Sequence, residues 1–151
     1  MSEFETAVSI HRAIDDVFAY ISDPLNMPHW YSAVQTVDPL SGGEPRAGST
    51  YLMRRQLPGG AARNELEIVT REAPTRFTIA TTSGPTPLTY RYALSPDAGG
   101  TLLELHATVE LPGIAALAGP LAVRAVKRGM DANLAALKAI LEHRMEAGGP
   151  S

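Results

Sequence analysis

The chain contains no cysteine, which excludes disulfide scaffolds, thiolate metal sites and cysteine nucleophiles together. It has no block of basic residues either: 13 Lys and Arg stand against 16 Asp and Glu, a net charge of −3. That balance argues against nucleic acid and anionic membrane surfaces as partners. No apolar stretch approaches the ~20 residues of a membrane-spanning helix. The acidic, alternating start "MSEFETAVSI" is unlike a secretory signal, so the expected location is the cytoplasm. There is no G-x-S-x-G elbow, no P-loop and no G-x-G-x-x-G after a strand. His11, His29, His106 and His143 are scattered, with no acidic residue at ligand spacing, so neither a metal nor a cofactor is expected. Aromatic residues make up only 6%, with a single tryptophan.

What is present is a globular composition: 151 residues, 44% hydrophobic and 19% charged. That is enough for one core, expected over residues 1–147 as a single domain, with 148–151 a disordered tail. "FETAVSI" alternates as a strand does. In "RAIDDVFAYISD" the period changes, and Ile14, Val17, Phe18 and Ile21 fall at helical spacing, with Asp15 and Asp16 where the helix dipole favours them. Pro24 ends that helix. Turn-rich clusters ("LSGGEPRAG", "LPGGAA", "EAPT", "SGPTP", "SPDAGG") then separate six runs, about 33–38, 49–57, 63–72, 75–83, 87–95 and 101–111. Such punctuation predicts consecutive antiparallel hairpins rather than βαβ units.

Parity assigns faces to these runs. Leu103, Leu105, Ala107, Val109 and Leu111 share one side. Leu66 with Ile68, then Phe77, Ile79 and Thr81, and finally Leu88, Tyr90, Tyr92 and Leu94 extend the same apolar face. A sheet apolar along its whole width needs a cover. After "LPGIAALAGP", a short apolar turn broken at Gly119-Pro120, the cover is a long helix from residue 121. Val123, Val126, Met130, Leu134, Leu137 and Leu141 run along it in steps of three and four. Lys127 with Asp131, and Lys138 with Glu142, are spaced for exposed ion pairs, and Gly148-Gly149-Pro150 stops the helix.

The stretches "AIDDVFAYISDPLNMPHW" (13–30), "YRYALSPDAGGTLLEL" (90–105) and "NLAALKAILE" (133–142), in this order and spacing, resemble the helix-grip superfamily. That superfamily, also called SRPBCC, includes START lipid-binding domains, pollen-allergen proteins and bacterial polyketide cyclase/dehydrase-like proteins. The resemblance spans essentially the whole chain. It implies an α+β helix-grip fold: a seven-stranded antiparallel sheet curved around a long C-terminal helix, two short helices after the first strand, and a cavity between sheet and helix. It transfers no activity by itself.

In such a fold "NMPHWYS" forms the second short helix and lids one end of the cavity, which places His29, Trp30 and Tyr31 at its mouth. Trp30 either contacts ligand or simply closes the core. If Tyr51, Met53 and Arg55 face inward, an equal-length hairpin sets Arg55 roughly opposite Asn64; if the parity slips by one, Arg54 is inside instead. A buried guanidinium needs a carboxylate, an anionic ligand group or an open mouth. The sheet offers Phe77, Ile79, Tyr90 and Tyr92 as further ligand-contact candidates, and the long helix offers Met130, Asn133 and Leu137. Each is equally explicable as core, with Asn133 then a satisfied core amide. No catalytic residue is assigned.

Binding or transport of a small hydrophobic molecule (lipid-like, polyketide-like or aromatic) is the leading expectation, by a monomer or homodimer. The alternative is a cyclase/dehydrase-type enzyme in the same cavity, with Arg55 or a tyrosine stabilising an enolate oxygen and His29 moving a proton. A protein-interaction module is the third reading.

Overall fold

The computed structural model describes residues 2–57, 59–110 and 119–148, with side chains placed through His143. β1 (Ser2–Ile10) gives way at the change of period to α1 (Ile14–Ile21), which buries Val17, Phe18, Tyr20 and Ile21. The Asp23 carboxylate then accepts from the Leu25 N–H at 3.0 Å and opens a 3-10 turn, Pro24–Asn26. The short α2 (Met27–Trp30) follows directly. Pro24 and Pro28 each stand in a first turn, where a missing N–H removes no helical bond.

The six expected runs are β2 (Val34–Pro39), β3 (Thr50–Leu57), β4 (Gly60–Glu72), β5 (Arg76–Ser83), β6 (Leu88–Asp97) and β7 (Gly100–Val109). They pair in sequence, and β1 closes on β7, giving one seven-stranded antiparallel sheet in the order β1-β7-β6-β5-β4-β3-β2. Turn chemistry sets the registers. Between β6 and β7, Ala98 (φ +44°) and Gly99 (φ +84°) both take positive φ, as the type I′ turn that matches strand twist requires.

α3 (Pro120–Gly148) lies across the apolar face. Met130, Leu134, Leu137 and Leu141 are buried against the sheet's own inward row, including Leu66, Ile68, Leu103 and Leu105. Polar bonds fasten the helix to β1 and its end. The Thr6 hydroxyl donates to Asp131, which also pairs with Lys127 at 3.1 Å. Glu142 accepts from the His11 N–H and from Lys138, each at 2.8 Å, and Arg12 donates to the Leu141 carbonyl at 2.8 Å. Both expected helix ion pairs are therefore present. From Pro120 to Gly129, by contrast, no residue is buried.

Differences from the sequence expectation are local. Gly148, expected to stop α3, is its last residue. Residues 111–118, which carry the apolar turn and Leu111, and the tail beyond Gly148 lie outside the described residues. Leu57 pairs with Gly60, so Arg55 stands opposite Ala62, and Asn64 is its diagonal neighbour, directly opposite Met53. Finally, β4 carries a bulge between Ile68 and Thr70, at the exposed Val69. One extra residue reverses the facing of everything after it.

Candidate ligand site

Inward parity on β3 carries Arg55 into the interior, where it is only 8% exposed; Arg54 faces out and pairs with Asp38 at 2.9 Å. The Arg55 guanidinium donates to Asn64 Oδ1 through Nε (3.0 Å) and Nη2 (2.7 Å). Nη2 also reaches the Pro85 carbonyl (2.9 Å), the Thr86 carbonyl (3.2 Å) and the Thr86 hydroxyl (2.5 Å). Asn64 is held in turn, its amide N–H groups donating to the carbonyls of Ser83 (3.1 Å) and Pro85 (2.7 Å). The β5–β6 loop folds close enough for this because Gly84 has φ +96° and no side chain. A Cβ there would stand 2.2 Å from the Arg63 carbonyl oxygen.

Every acceptor given to Arg55 is neutral. Among the described residues no Asp or Glu is buried, and Nη1 has no hydrogen-bond partner. Burial lowers the Arg55 pKa, and the nearby phenols of Tyr90 and Tyr31 act against that shift. An arginine side chain keeps its charge under such conditions. Among the described residues, then, this cation has no counter-charge, and Nη1 is not one of the buried unpartnered atoms.

Around it the aromatics converge. Tyr31 stacks on Tyr90 with centroids 5.8 Å apart and touches Trp30 at 4.6 Å. Tyr92 meets Trp30 and Tyr90, each at 6.5 Å, and stacks on Phe77 at 6.0 Å. These rings stand where the expected cavity would lie. The Tyr31 hydroxyl sits beside those of Tyr90 and Tyr92 without an aligned hydrogen bond among the described residues, and Trp30 Nε1 is likewise buried and unpartnered. Trp30 Nε1 and Arg55 Nη1 can only donate, whereas each phenol can donate or accept, so an oxygen acceptor is one group that the cluster can take. An open depression of about 660 Å³ lies elsewhere, on the opposite sheet face, among outward side chains such as Glu5, Arg76, Arg91 and Glu104.

Burial raises the pKa of Tyr31, Tyr90 and Tyr92 above the ordinary phenol value; for Tyr31 its tyrosine neighbours push the same way, while the Tyr31 hydroxyl partly offsets the shift on Tyr90 and Tyr92. Because the folded values are raised, the unfolded chain ionises first. The stability these groups contribute is complete below about pH 10 and is lost as pH rises beyond it. In a spectroscopic titration, the phenolate band should gain the buried tyrosines' share only together with loss of near-ultraviolet circular dichroism. Five tyrosines ionising smoothly in a folded protein would contradict the cluster's burial.

The remaining sequence candidates divide. Met53, Phe77, Ile79, Met130 and Leu137 are core residues on the two facing layers. Asn133 spends its carbonyl oxygen on the Ser32 N–H at 3.1 Å, tying the segment after α2 to α3, so it orients a loop in this structure. His29 is exposed. Tyr51 is buried but belongs to the other end of the sheet, near Ser49, Asp23 and Arg71.

Arg71 is the residue that sequence reasoning missed. Strict alternation after Leu66 and Ile68 puts it outside, but the β4 bulge turns it inward, opposite Phe77. There its guanidinium lies over the Phe18 ring at 5.2 Å with Nε buried and unpartnered among the described residues. No sequence signal marks the bulge. Arg55 stands opposite Ala62, nine residues from Arg71 along β4, which separates the two inward arginines by roughly 30 Å at the strand rise.

A family model described as polyketide cyclase / dehydrase and lipid transport matches residues 1–142. No curated protein matches the chain. Among solved structures, a START superfamily protein from Mycobacterium smegmatis superposes with a TM-score of 0.76 at 15% identity, covering 93% of this chain and 97% of that one. Ara h 8.0201 gives 0.71 at 16% identity, over 94% and 98%. The di-domain ARO/CYC StfQ from the steffimycin biosynthetic pathway gives 0.73 at 20% identity, over 97% of this chain and 52% of that one. At these identities the likeness carries the fold, a sheet gripping a C-terminal helix, and the match to the family model carries the rest: the chain belongs to the polyketide cyclase/dehydrase and lipid-transport family.

Proposed function

We propose that the protein binds a small hydrophobic, partly aromatic ligand that carries an oxygen acceptor: a carboxylate, an enolate or a polarised carbonyl. One observation carries this reading, the largely buried Arg55 side chain, whose guanidinium has only neutral partners among the described residues and whose Nη1 bonds to none of them. Uncompensated buried cations are costly, and a ligand oxygen would supply the missing charge. Tyr31, Tyr90 and Tyr92 would contribute ring faces and hydroxyls, opening their mutual stack to admit the ligand. Burying ~300 Å² of ligand apolar surface is worth roughly 7 kcal/mol before the ordering costs of association.

A cyclase reading uses the same groups. Arg55 and a phenol would stabilise an enolate oxygen while the pocket held a flexible β-keto chain in one geometry. The family description and the fold shared with the ARO/CYC protein support it. Against it stand the absence of a buried carboxylate among the described residues and the exposure of His29, which leave no interior proton carrier other than tyrosines of raised pKa.

Native mass spectrometry of the purified protein, followed by denaturing extraction, separates these readings. An excess mass that extracts unchanged as one apolar, oxygen-bearing compound is expected for the carrier. Conversion of a poly-β-ketone analogue by the apo protein, abolished in Arg55→Met, would replace the carrier with the enzyme. A protein that neither carries nor takes up any apolar acid would remove both.

A further inference from the structure

We propose that the outer face of the first turns of α3 docks the protein on an anionic bilayer, with Leu121 inserted and Arg124 and Arg128 on the lipid headgroups. Leu121 is 70% exposed, more than any other large hydrophobic side chain among the described residues. Arg124 and Arg128 follow at i+3 and i+7, on the same side of the helix. Both are exposed, and among the described residues neither makes a hydrogen bond or ion pair. Lys127, the third cation, is taken up by Asp131 at 3.1 Å. Asp131 is also the first acidic residue after Glu110.

The net charge of −3 conceals this patch because it averages over the chain. Helical geometry puts Arg124 and Arg128, with Ala125, Val126 and Lys127 between them in the sequence, on one face. Membrane-surface helices combine cationic side chains with inserted apolar ones, and Leu121 with Arg124 and Arg128 supplies one short element of that combination. A second copy fits the face poorly, since a two-fold contact would bring its arginines onto themselves. A protein partner would need on the order of 800 Å² with an apolar centre, whereas beyond Leu121 the face offers mainly Ala125, Ala132 and Ala135. The proposal rests on the carrier reading for its purpose, a place for an apolar cargo to change hands, but its test requires no cargo.

Flotation of the full chain with phosphatidylcholine vesicles, with and without phosphatidylserine, tests it. Association is expected only with phosphatidylserine present, and it should weaken as salt is raised. Arg124→Gln and Arg128→Gln should each weaken it about fivefold, and Leu121→Ser should weaken it further. Arg76→Gln with Arg91→Gln removes equal charge from the sheet's solvent face and should leave association unchanged. Absence of association at low salt, equal association with both vesicle types, or equal weakening by the control pair would overturn the proposal. So would a dimer in sedimentation that the Arg124/Arg128 double variant dissolves, which would give the face to a second copy. If vesicle association fails while an apolar acid still binds, docking alone falls; if both fail, the carrier reading falls with it.

Discussion

Arg55→Met should weaken binding of a naphthalene carboxylic acid by about 30- to 100-fold and leave binding of its methyl ester nearly unchanged. A hydrogen bond from a charged donor is worth about 1.5–3 kcal/mol, and it sits at the upper end where water is excluded. The ester presents the same rings without the negative charge, so comparing the two reads the ionic contact alone. Stability of the unliganded protein should change far less. Methionine removes the cation's desolvation penalty, which offsets part of the loss. What remains is the Asn64 carbonyl oxygen, in a side chain only 1% exposed, left without its two donors. That orphan costs about 1–2 kcal/mol, or roughly 3–6 °C in Tm for a domain of this size. Arg55→Lys should fall between the two, since it keeps the charge but loses the fork that grips Asn64. Equal losses for acid and ester would reduce Arg55 to a strut of the β5–β6 loop.

Gly84→Ala is expected to be among the most damaging single-methyl additions in this chain. At φ +96° any side chain is strained, and the new Cβ would meet the Arg63 carbonyl oxygen at 2.2 Å and Asn64 Nδ2 at 2.7 Å. The first obstacle is backbone within the β4 strand, which cannot swing aside as a side-chain tip can. Strain of about 1–2 kcal/mol plus the displaced strand gives about 3–5 kcal/mol. Urea unfolding should show this as a lower midpoint at unchanged slope. Gly99→Ala provides the control: its φ is +84° with nothing within 4 Å of the added Cβ, so it should cost only the conformational part. Similar losses for the two variants would mean that the β5–β6 loop yields freely, and that Arg55 is held less firmly than its hydrogen bonds imply.

Both expected results depend on features that differ in how far the chain announces them. Arg55 is readable as an inward residue because Tyr51 and Met53 alternate with it on one strand. Its hold on Asn64 is not, because a hairpin closing at Leu57 and Gly60 moves the direct partner to Ala62. The grip from Pro85 and Thr86 requires a glycine loop whose value shows only once β4 lies against it. Tyr90 and Tyr92 are legible as inward side chains, but their convergence on Tyr31 joins two segments far apart in the sequence. Arg71 is not legible as an inward residue at all, because period-two reasoning has no means of foreseeing an inserted residue.

By itself, then, the sequence determined the elements, their order and the apolar face of each, since these follow from side-chain periods of two and 3.6 and from glycine and proline punctuation, all local properties of the backbone. Only the tertiary structure decided the registers, the β4 bulge and the polar and aromatic cluster at Arg55. Those arise where segments distant in sequence compete to satisfy each other's hydrogen bonds and volume, so no single stretch of the chain encodes them.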